Sequence, residues 1–504
     1  MKGFQIQQKG ERRISAALRI MLVVVLLAVQ IGFVVAISYF MQEYLALAYG
    51  VVQVGALFLA VHIYNEPGEL SYKLIWFILL LLAPPVGMIL WFLWGGAAQK
   101  RHLPQNTKRF PDEPESVRIR SEIAVDKLTR QLPAWSRTAN YLCRRDFQLY
   151  QNTSVTYLPE GTILLRNLID RAAKAERFIF LEYFILAEGK LWDELEKILC
   201  AKAREGVEVK IIFDDFGNIK RFSGETIDRL REVGVEVFIF NPVHEYVDRL
   251  HGDVAYTGGV NIADEYANLI ERFGYWKDSG VCLEGEGAWG LTASFIRMCV
   301  NLGGVMHNEH DYYRPHTPVK SEGFCQPFTD GPQNNPDNPA EDVFLQMISG
   351  ARRFLYITTP YFIPDESLMR SLCIAGDGGV DVRLMLPGKP DHWYADCVAE
   401  SYFGELIKHG VKVYRYTPGF LHGKSIMVDR EAAFVGSANM DYRSFELDYE
   451  CGVMVYSAPM IESLLEDMDM IVDRSHLVTA EEWAKRSVLR RVFEPLLRLF
   501  AIWM

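Results

Sequence analysis

Three long apolar stretches stand near the start of the chain, at about residues 18–40, 45–64 and 70–94. A helix needs about 20 apolar residues to cross the hydrocarbon core of a bilayer. The pattern therefore predicts a membrane anchor of two to three transmembrane helices within residues 1–100, and a multi-pass location in a cell membrane. The number of spans stays open because Pro84 and Pro85 interrupt the third stretch.

The rest of the chain alternates β-rich runs with amphipathic helical patterns, and it does so twice. Residues 177–185 and 207–213 are strand-like runs separated by a helical pattern, and residues 353–363 and 380–386 repeat this arrangement. Strands that alternate with helices indicate a mainly parallel sheet covered on both faces. We therefore predict an α/β fold made of two tandem α/β/α halves, related by a pseudo-twofold seam that holds the active site.

These patterns divide the chain into six segments. They are a membrane anchor (1–100), a linker with a first helix (101–150), the first half (151–305), a connecting segment (306–342), the second half (343–480) and a C-terminal amphipathic segment (481–504).

The composition of the chain limits the kinds of molecule that it is expected to bind. The net charge is −11, and acidic residues lie mainly after residue 110. Nucleic acids are bound through concentrated Lys and Arg, so the acidic body argues against a nucleic-acid partner. The eight cysteines form no CxxC pair, which is typical of free thiols rather than of a zinc site or a disulfide framework.

One string in the second half carries the candidate chemistry. His422 and Lys424 are two residues apart on a predicted strand, so their side chains share a face, and Asp429 follows. Histidine can attack phosphorus or move a proton near neutral pH, and Lys424 can neutralise phosphate oxygens. Asp429 is predicted to orient the imidazole. Ser437 and Asn439 follow as candidate hydrogen-bond donors to the substrate.

The string HxKx4D followed by GSxN is similar to the HKD motif of the phospholipase D superfamily. Residues 418–424 and 436–446 resemble its cardiolipin synthase branch, and so do residues 256–266 and 272–278 of the first half. Residues 65–96 resemble the N-terminal region of that branch.

The resemblance implies a two-step transfer at phosphorus that uses no metal and no other cofactor. A histidine attacks one phosphatidylglycerol and releases glycerol, and a second phosphatidylglycerol resolves the phosphatidyl-histidine to give cardiolipin. Phosphatidylglycerol and anionic membrane lipid are thus the implied partners. Such enzymes use two HKD motifs, one from each half, whose histidines face each other.

The first half departs from this pattern. Aligning the copies places Asn261, a further candidate substrate-binding residue, opposite Asn439, and it gives HxYx4H at residues 244–251 where HxKx4D belongs. Either the motif has drifted and kept its histidine, or a stretch that held the true motif is missing. We favour the second explanation, because charged Asp248 and Arg249 would fall within a buried strand. His244 and His251 are the candidates for the second histidine.

Three functions remain open from the sequence. The first is a cardiolipin synthase, and the second is a catalytically impaired membrane protein of the same family. The third is a phospholipase D-type hydrolase or nuclease that gains its second motif by dimerising.

Overall fold

The structure is a computed structural model that describes most of the chain. The described parts are residues 45–66, 70–95, 115–218, 221–240, 253–306, 312–315, 319–332 and 338–487, with Gly32, Arg490, Arg491, Glu494, Leu497 and Arg498 as single positions. The chain forms two compact units, Met1–Lys100 and Arg101–Met504.

The N-terminal unit contains three described α-helices that pack on one another through apolar side chains. They are α1 (Leu45–Asn65), α2 (Leu70–Leu82) and α3 (Pro84–Leu90). The chain leaves helical geometry at Ala83, where φ is −142° and ψ is 65°, because the proline that follows disfavours helical geometry at the residue before it. Buried Trp76 and Trp91 meet edge to face, with ring centroids 5.1 Å apart.

The prediction of N-terminal transmembrane helices is wrong for the residues that the structure describes. None of the helices found there combines the length and the apolar character that a membrane crossing requires. The third apolar stretch shows one reason: the break at Ala83 leaves α2 only 13 residues long, about 20 Å at 1.5 Å per residue, against roughly 30 Å of hydrocarbon. The first stretch, residues 18–40, lies outside the described residues except for Gly32.

The second unit carries the predicted duplicated α/β fold. The strands of its first half are β1 (Thr153–Leu158), β2 (Phe178–Tyr183), β3 (Glu208–Asp214), β4 (Glu236–Phe240), β5 (Val254–Gly258), β6 (Tyr275–Lys277) and β7 (Gly280–Gly285). The strands that follow are β8 (Phe324–Asp330), β9 (Phe354–Thr358), β10 (Phe362–Ile363), β11 (Asp381–Pro387), β12 (Lys412–Tyr416), β13 (Gly419–Leu421), β14 (Lys424–Val428), β15 (Ala432–Gly436), β16 (Met440–Asp441), β17 (Glu450–Tyr456) and β18 (Ser475–Leu477).

Helices separate these strands in both halves. Those of the first half are α4 (Glu115–Gln131), α5 (Ser136–Cys143), α6 (Gly161–Ala172), α7 (Lys190–Arg204), α8 (Asp215–Asn218), α9 (Gly224–Glu232) and α10 (Ala288–Asn301). Those of the second half are α11 (Pro339–Gly350), α12 (Glu366–Asp377), α13 (Trp393–Lys408), α14 (Tyr442–Glu446), α15 (Met460–Asp473) and α16 (Ala480–Ala484).

The second half is built on one continuous sheet of eight strands in the order β18-β12-β11-β9-β14-β15-β17-β8. Strands β9, β11 and β12 run parallel, and β14 pairs antiparallel with both β9 and β15. Strand β14 is buried along its whole length, including the polar Lys424 and Ser425 at its start. It joins the parallel part of the sheet to the antiparallel part.

The first half repeats this sheet in two separate pieces, β2-β3-β4 and β1-β7-β5. Their strands correspond in order and pairing to β9-β11-β12 and β8-β17-β15 of the second half. Within the described part of the first half, no strand joins β2 to β5 as β14 joins β9 to β15. Residues 241–252, which connect β4 to β5, lie outside the described residues.

A short parallel pair links the two halves. Strand β13 of the second half pairs with β6 of the first, with Gly419 opposite Tyr275 and Leu421 opposite Lys277. The backbone N–H of His422 continues the pairing and donates to the carbonyl oxygen of Lys277 at 2.7 Å. The end of β13 therefore brings His422 beside Asp278.

Candidate active site

The imidazole of His422 is held by a carboxylate from the other half of the molecule. Its Nδ1 lies 2.6 Å from Oδ2 of Asp278, whose side chain is fully buried. An ionised carboxylate only accepts hydrogen bonds, so the proton in this contact belongs to Nδ1. The lone pair of neutral His422 is then on Nε2, so Nε2 is the ring nitrogen that can attack phosphorus or take up a proton.

The electrostatics favour an ionised Asp278. Burial alone would raise the pKa of this carboxyl group. The charge of His422 in its protonated form, the hydrogen bond from His422 and the charge of Lys424 together outweigh burial, and they lower the pKa below its ordinary value.

Lys424 places a cation against the same imidazole. It is the first residue of β14, and its buried Nζ lies 2.9 Å from both ring nitrogens of His422 and donates to the His422 carbonyl oxygen at 2.7 Å. Gly259 permits this packing, because a Cβ there would lie 2.5 Å from Asp278 Oδ1 and 2.9 Å from Lys424 Nζ. An alanine at position 259 would force the charged groups apart.

Asp429 does not orient the imidazole, and that prediction is wrong. It lies beyond the opposite end of β14 from Lys424 and accepts the backbone N–H groups of Arg352, Arg353 and Phe354 at 2.8–2.9 Å. A strand of five residues separates the two ends of the motif, so Asp429 fixes the start of β9 instead. Asp278 takes the position expected for Asp429.

Of the three predicted hydroxyl and amide residues, Ser437 and Asn261 line the cleft that contains His422. Ser437 donates its hydroxyl to the Glu450 carboxylate, which also accepts the Ser444 hydroxyl at 2.6 Å. Asn439 is buried, and its Oδ1 has no hydrogen-bond partner among the described residues. Asn261 accepts from the Ile185 N–H at 3.0 Å and donates to the Tyr266 hydroxyl at 3.0 Å, so it braces the loop after β2.

His244 and His251, the candidates for the second histidine, lie outside the described residues. The structure therefore brings together His422, Lys424, Ser437 and Asn261 at one cleft and leaves the position of a second histidine untested.

The cleft has a free volume of about 350 Å³ and is lined from both halves. Aromatic rings enclose the imidazole: Trp276 lies 5.3 Å and Tyr266 5.4 Å from His422, measured between ring centroids. The opposite wall includes Tyr361, which donates to Asp391 at 2.6 Å. Such a site offers one oriented nucleophile, a fixed cation and walls that combine aromatic with charged side chains, which suits an amphipathic phosphodiester.

Sequence reasoning missed Asp278 as a site residue, although the repeat contains a signal for it. Gly258 pairs with Gly280 in the first half, as Gly436 pairs with Gly452 in the second. An acidic residue stands two positions before Gly280 and before Gly452, namely Asp278 and Glu450. Comparing the copies beyond the GSxN string would have marked both carboxylates.

Comparisons with known proteins agree with this geometry. A family profile described as "Cardiolipin synthase, PLD-like domain" matches residues 344–472, and one described as "Phospholipase_D-nuclease N-terminal" matches residues 54–96. The chain is 31% identical over 485 residues to a cardiolipin synthase of Halalkalibacterium halodurans, covering 92% of this chain and 95% of that one. It is also 31% identical over 468 residues to the major cardiolipin synthase of Bacillus subtilis, covering 87% of this chain and 95% of that one.

Among solved structures, the chain resembles the phosphatidylserine synthase of Haemophilus influenzae with a TM-score of 0.53 and 15% identity, covering 70% of this chain and 93% of that one. At that identity the likeness concerns the fold alone. The sequence matches extend over nearly the whole chain and agree with the HKD string and with the duplicated fold. The chain belongs to the cardiolipin synthase family of the phospholipase D superfamily.

Proposed function

We propose that this chain is a phosphatidyltransferase that makes cardiolipin and glycerol from two molecules of phosphatidylglycerol. The observation that carries the proposal is the contact between His422 and buried Asp278 beside Lys424, in a chain of this family. This set supplies an oriented nucleophile and a fixed positive charge, the two things that attack at an anionic phosphodiester requires.

In the first step, Nε2 of His422 attacks the phosphorus of the donor lipid. The bond from phosphorus to the glycerol oxygen breaks, that oxygen takes a proton from a general acid, and glycerol leaves. The product is a phosphatidyl-histidine. The ammonium of Lys424 stabilises the negative charge on the phosphate oxygens, and Asp278 stabilises the positive charge that develops on the imidazole.

In the second step, a headgroup hydroxyl of the acceptor phosphatidylglycerol gives its proton to a general base. Its oxygen attacks phosphorus, the bond between phosphorus and Nε2 breaks, and His422 returns to its neutral form. We propose that His244 or His251 acts as the general acid in the first step and as the general base in the second. Ser437, Asn439 and Asn261 are proposed to support substrate binding, with no metal or other cofactor.

The proposed substrates are membrane lipids, so we further propose that the chain acts at the surface of an anionic membrane. The net charge of −11 argues against the alternative substrate, a nucleic acid, which proteins bind through concentrated Lys and Arg. Incubation with single-stranded DNA checks this point: hydrolysis that depends on His422 would favour the nuclease alternative.

The decisive experiment measures cardiolipin formation from labelled phosphatidylglycerol by membranes that contain the chain. We expect labelled cardiolipin and free glycerol from the native chain and neither from His422→Ala. His476→Ala serves as the matched control, because His476 is an exposed histidine on β18 outside the residues that line the cleft. Equal product from the native chain and His422→Ala would contradict the proposal.

The first half, as far as the structure describes it, favours one alternative, a family member that binds anionic lipid without turning it over. Its basis is that no described strand lies between β2 and β5, at the place where the second half carries β14 and its HKD string. Lipid binding that persists in His422→Ala, with no cardiolipin from either protein, would support this alternative.

A further inference from the structure

Two arginines share one carboxylate on the wall of the cleft, apart from the groups that act on phosphorus. Oε1 of Glu265 accepts from Nη1 of Arg221 at 3.3 Å and from Nη1 of Arg272 at 3.2 Å. The Glu265 side chain is only 9% exposed, whereas those of Arg221 and Arg272 are 32% and 47% exposed. All three line the same cleft as His422, and together they carry a net single positive charge.

Arg221 and Arg272, with the Glu265 carboxylate that they share, are here called the arginine pair, and they line the cleft that contains the reacting imidazole. Tyr266, the neighbour of Glu265, meets His422 edge to face. The Arg272 guanidinium lies 5.2 Å from the ring centroid of Phe273. The arginine pair therefore shares a cleft with His422, but it makes no hydrogen bond with His422 among the described residues.

The proposed reaction needs a second site that binds a negatively charged phosphate. The acceptor phosphatidylglycerol carries its own phosphodiester, which stays intact while its headgroup hydroxyl attacks. One glycerol separates that phosphate from the reacting phosphorus, so the acceptor phosphate must lie close to the first one. Without a counter-charge of its own, it would be repelled by the phosphate already held at His422 and Lys424.

Guanidinium groups suit this task. Each carries five N–H donors in a planar fork that matches phosphate oxygens, and the contact with Glu265 uses one of them in each arginine. Glu265, buried between the two arginines, keeps both guanidinium groups at one spot before a lipid arrives. Preorganisation of this kind reduces the ordering cost of binding.

We propose that the arginine pair binds the phosphate of the acceptor phosphatidylglycerol, while His422 and Lys424 bind the donor phosphate. This inference rests on the proposed function, because it assigns a subsite for the second lipid of that reaction. It makes Arg221 and Arg272 determinants of what accepts the phosphatidyl group.

The test separates the acceptor step from the donor step. The full chain in phosphatidylglycerol vesicles is assayed for cardiolipin formation and for exchange of labelled free glycerol into phosphatidylglycerol. Exchange needs His422 and a donor lipid, but its acceptor is glycerol, which carries no phosphate. We expect Arg221→Gln and Arg272→Gln each to lower cardiolipin formation about 10- to 100-fold, and to change exchange by less than about 3-fold.

A matched control and a conservative variant sharpen the result. Arg166→Gln removes an arginine that contacts Glu194 at 2.7 Å on the exposed surface of α6, and neither reaction should change. Arg272→Lys keeps the charge without the fork and should retain part of the cardiolipin formation. An equal loss of both reactions in Arg272→Gln, or no loss in either, overturns the inference.

If the native chain supports neither reaction, the proposed function fails, and a binding measurement then decides the inference. Equilibrium binding of dihexanoyl phosphatidylglycerol needs no turnover. Weakening by about 10-fold or more in Arg221→Gln and Arg272→Gln, with none in Arg166→Gln, would support an anion site. Unchanged binding in both variants would overturn it.

Discussion

At the scale of single residues, Asp278 decides whether His422 can act. Replacement of Asp278 by Asn keeps the size of the side chain but removes the charge that holds Nδ1–H and offsets a developing imidazolium. We expect Asp278→Asn to slow cardiolipin formation by roughly 100-fold or more, as loss of the orienting acid does in other histidine-dependent sites.

The rate is measured with saturating phosphatidylglycerol, and Asp473→Asn, an exposed position at the end of α15, is the control. An Asp278→Asn chain that keeps the native rate would show that the imidazole needs no carboxylate.

The lowered pKa of Asp278 also predicts how stability depends on pH. A carboxyl group whose pKa is lower in the folded than in the unfolded state stabilises the fold above its unfolded value, near 3.9. That stabilisation is lost as the pH falls through the folded value. We therefore expect the melting temperature of the native chain to fall more steeply below about pH 4 than that of Asp278→Asn. Parallel curves for the two proteins would contradict this assignment.

Asp429 has a structural role, and a variant can separate it from catalysis. Its φ is +53°, a conformation that Asn tolerates, so Asp429→Asn should preserve the backbone and remove only the charged acceptor of three N–H groups. We expect the free energy of unfolding to fall by about 1–3 kcal/mol. His422→Ala, by contrast, should remove activity with little change in stability, and urea unfolding of both proteins tests the difference.

At the scale of elements, a buried ion pair joins α15 to β6 through Lys277, the residue directly before Asp278. Lys277 Nζ lies 2.6 Å from Oδ1 and 2.9 Å from Oδ2 of Asp467, and the Tyr157 hydroxyl donates to Oδ2 at 2.8 Å. Removing one partner leaves the other charge buried without compensation. We expect Asp467→Leu to cost about 3–5 kcal/mol of unfolding free energy, and Lys277→Met with Asp467→Leu to cost less than Asp467→Leu alone.

A double-mutant cycle in urea measures the coupling. Costs that simply add would show that the pair contributes nothing beyond its separate side chains.

The sequence predicts elements well where a local pattern determines them. The runs at residues 177–185 and 353–363 became β2 and β9, because their apolar and β-branched side chains are buried in a parallel sheet. The partner of His422 could not be found in this way, since Asp278 lies 144 positions away and reaches it only through the pairing of β6 with β13. The two prolines, Pro84 and Pro85, indicated a helix break in the sequence. Whether that break rules out a transmembrane helix depends on the lengths of the helices on either side, which only the structure gives.

At the scale of the whole catalytic unit, the two halves are unequal but dependent on each other. The second half has the continuous sheet and the intact HKD string, yet it takes Asp278, Trp276 and the partner strand of β13 from the first. The first half has the matching strands β2 and β5, and the described residues contain no strand that joins them. An intact motif in one half therefore does not make that half a complete enzyme.

This dependence predicts the behaviour of the separated halves. Residues 319–504, which include all eight strands of the second-half sheet, should form no cardiolipin when produced alone, because His422 then lacks its carboxylate and β13 exposes unpaired backbone groups. Production of residues 1–318 in the same cells should restore activity that depends on both Asp278 and His422, since the β6–β13 pair and the ion pair between Lys277 and Asp467 can re-form between separate chains. Restoration that is lost with Asp278→Asn in the first piece would show that the site is shared. Activity from residues 319–504 alone would mean that His422 works without the first half, and the seam would then be a consequence of the duplication rather than a requirement of the chemistry.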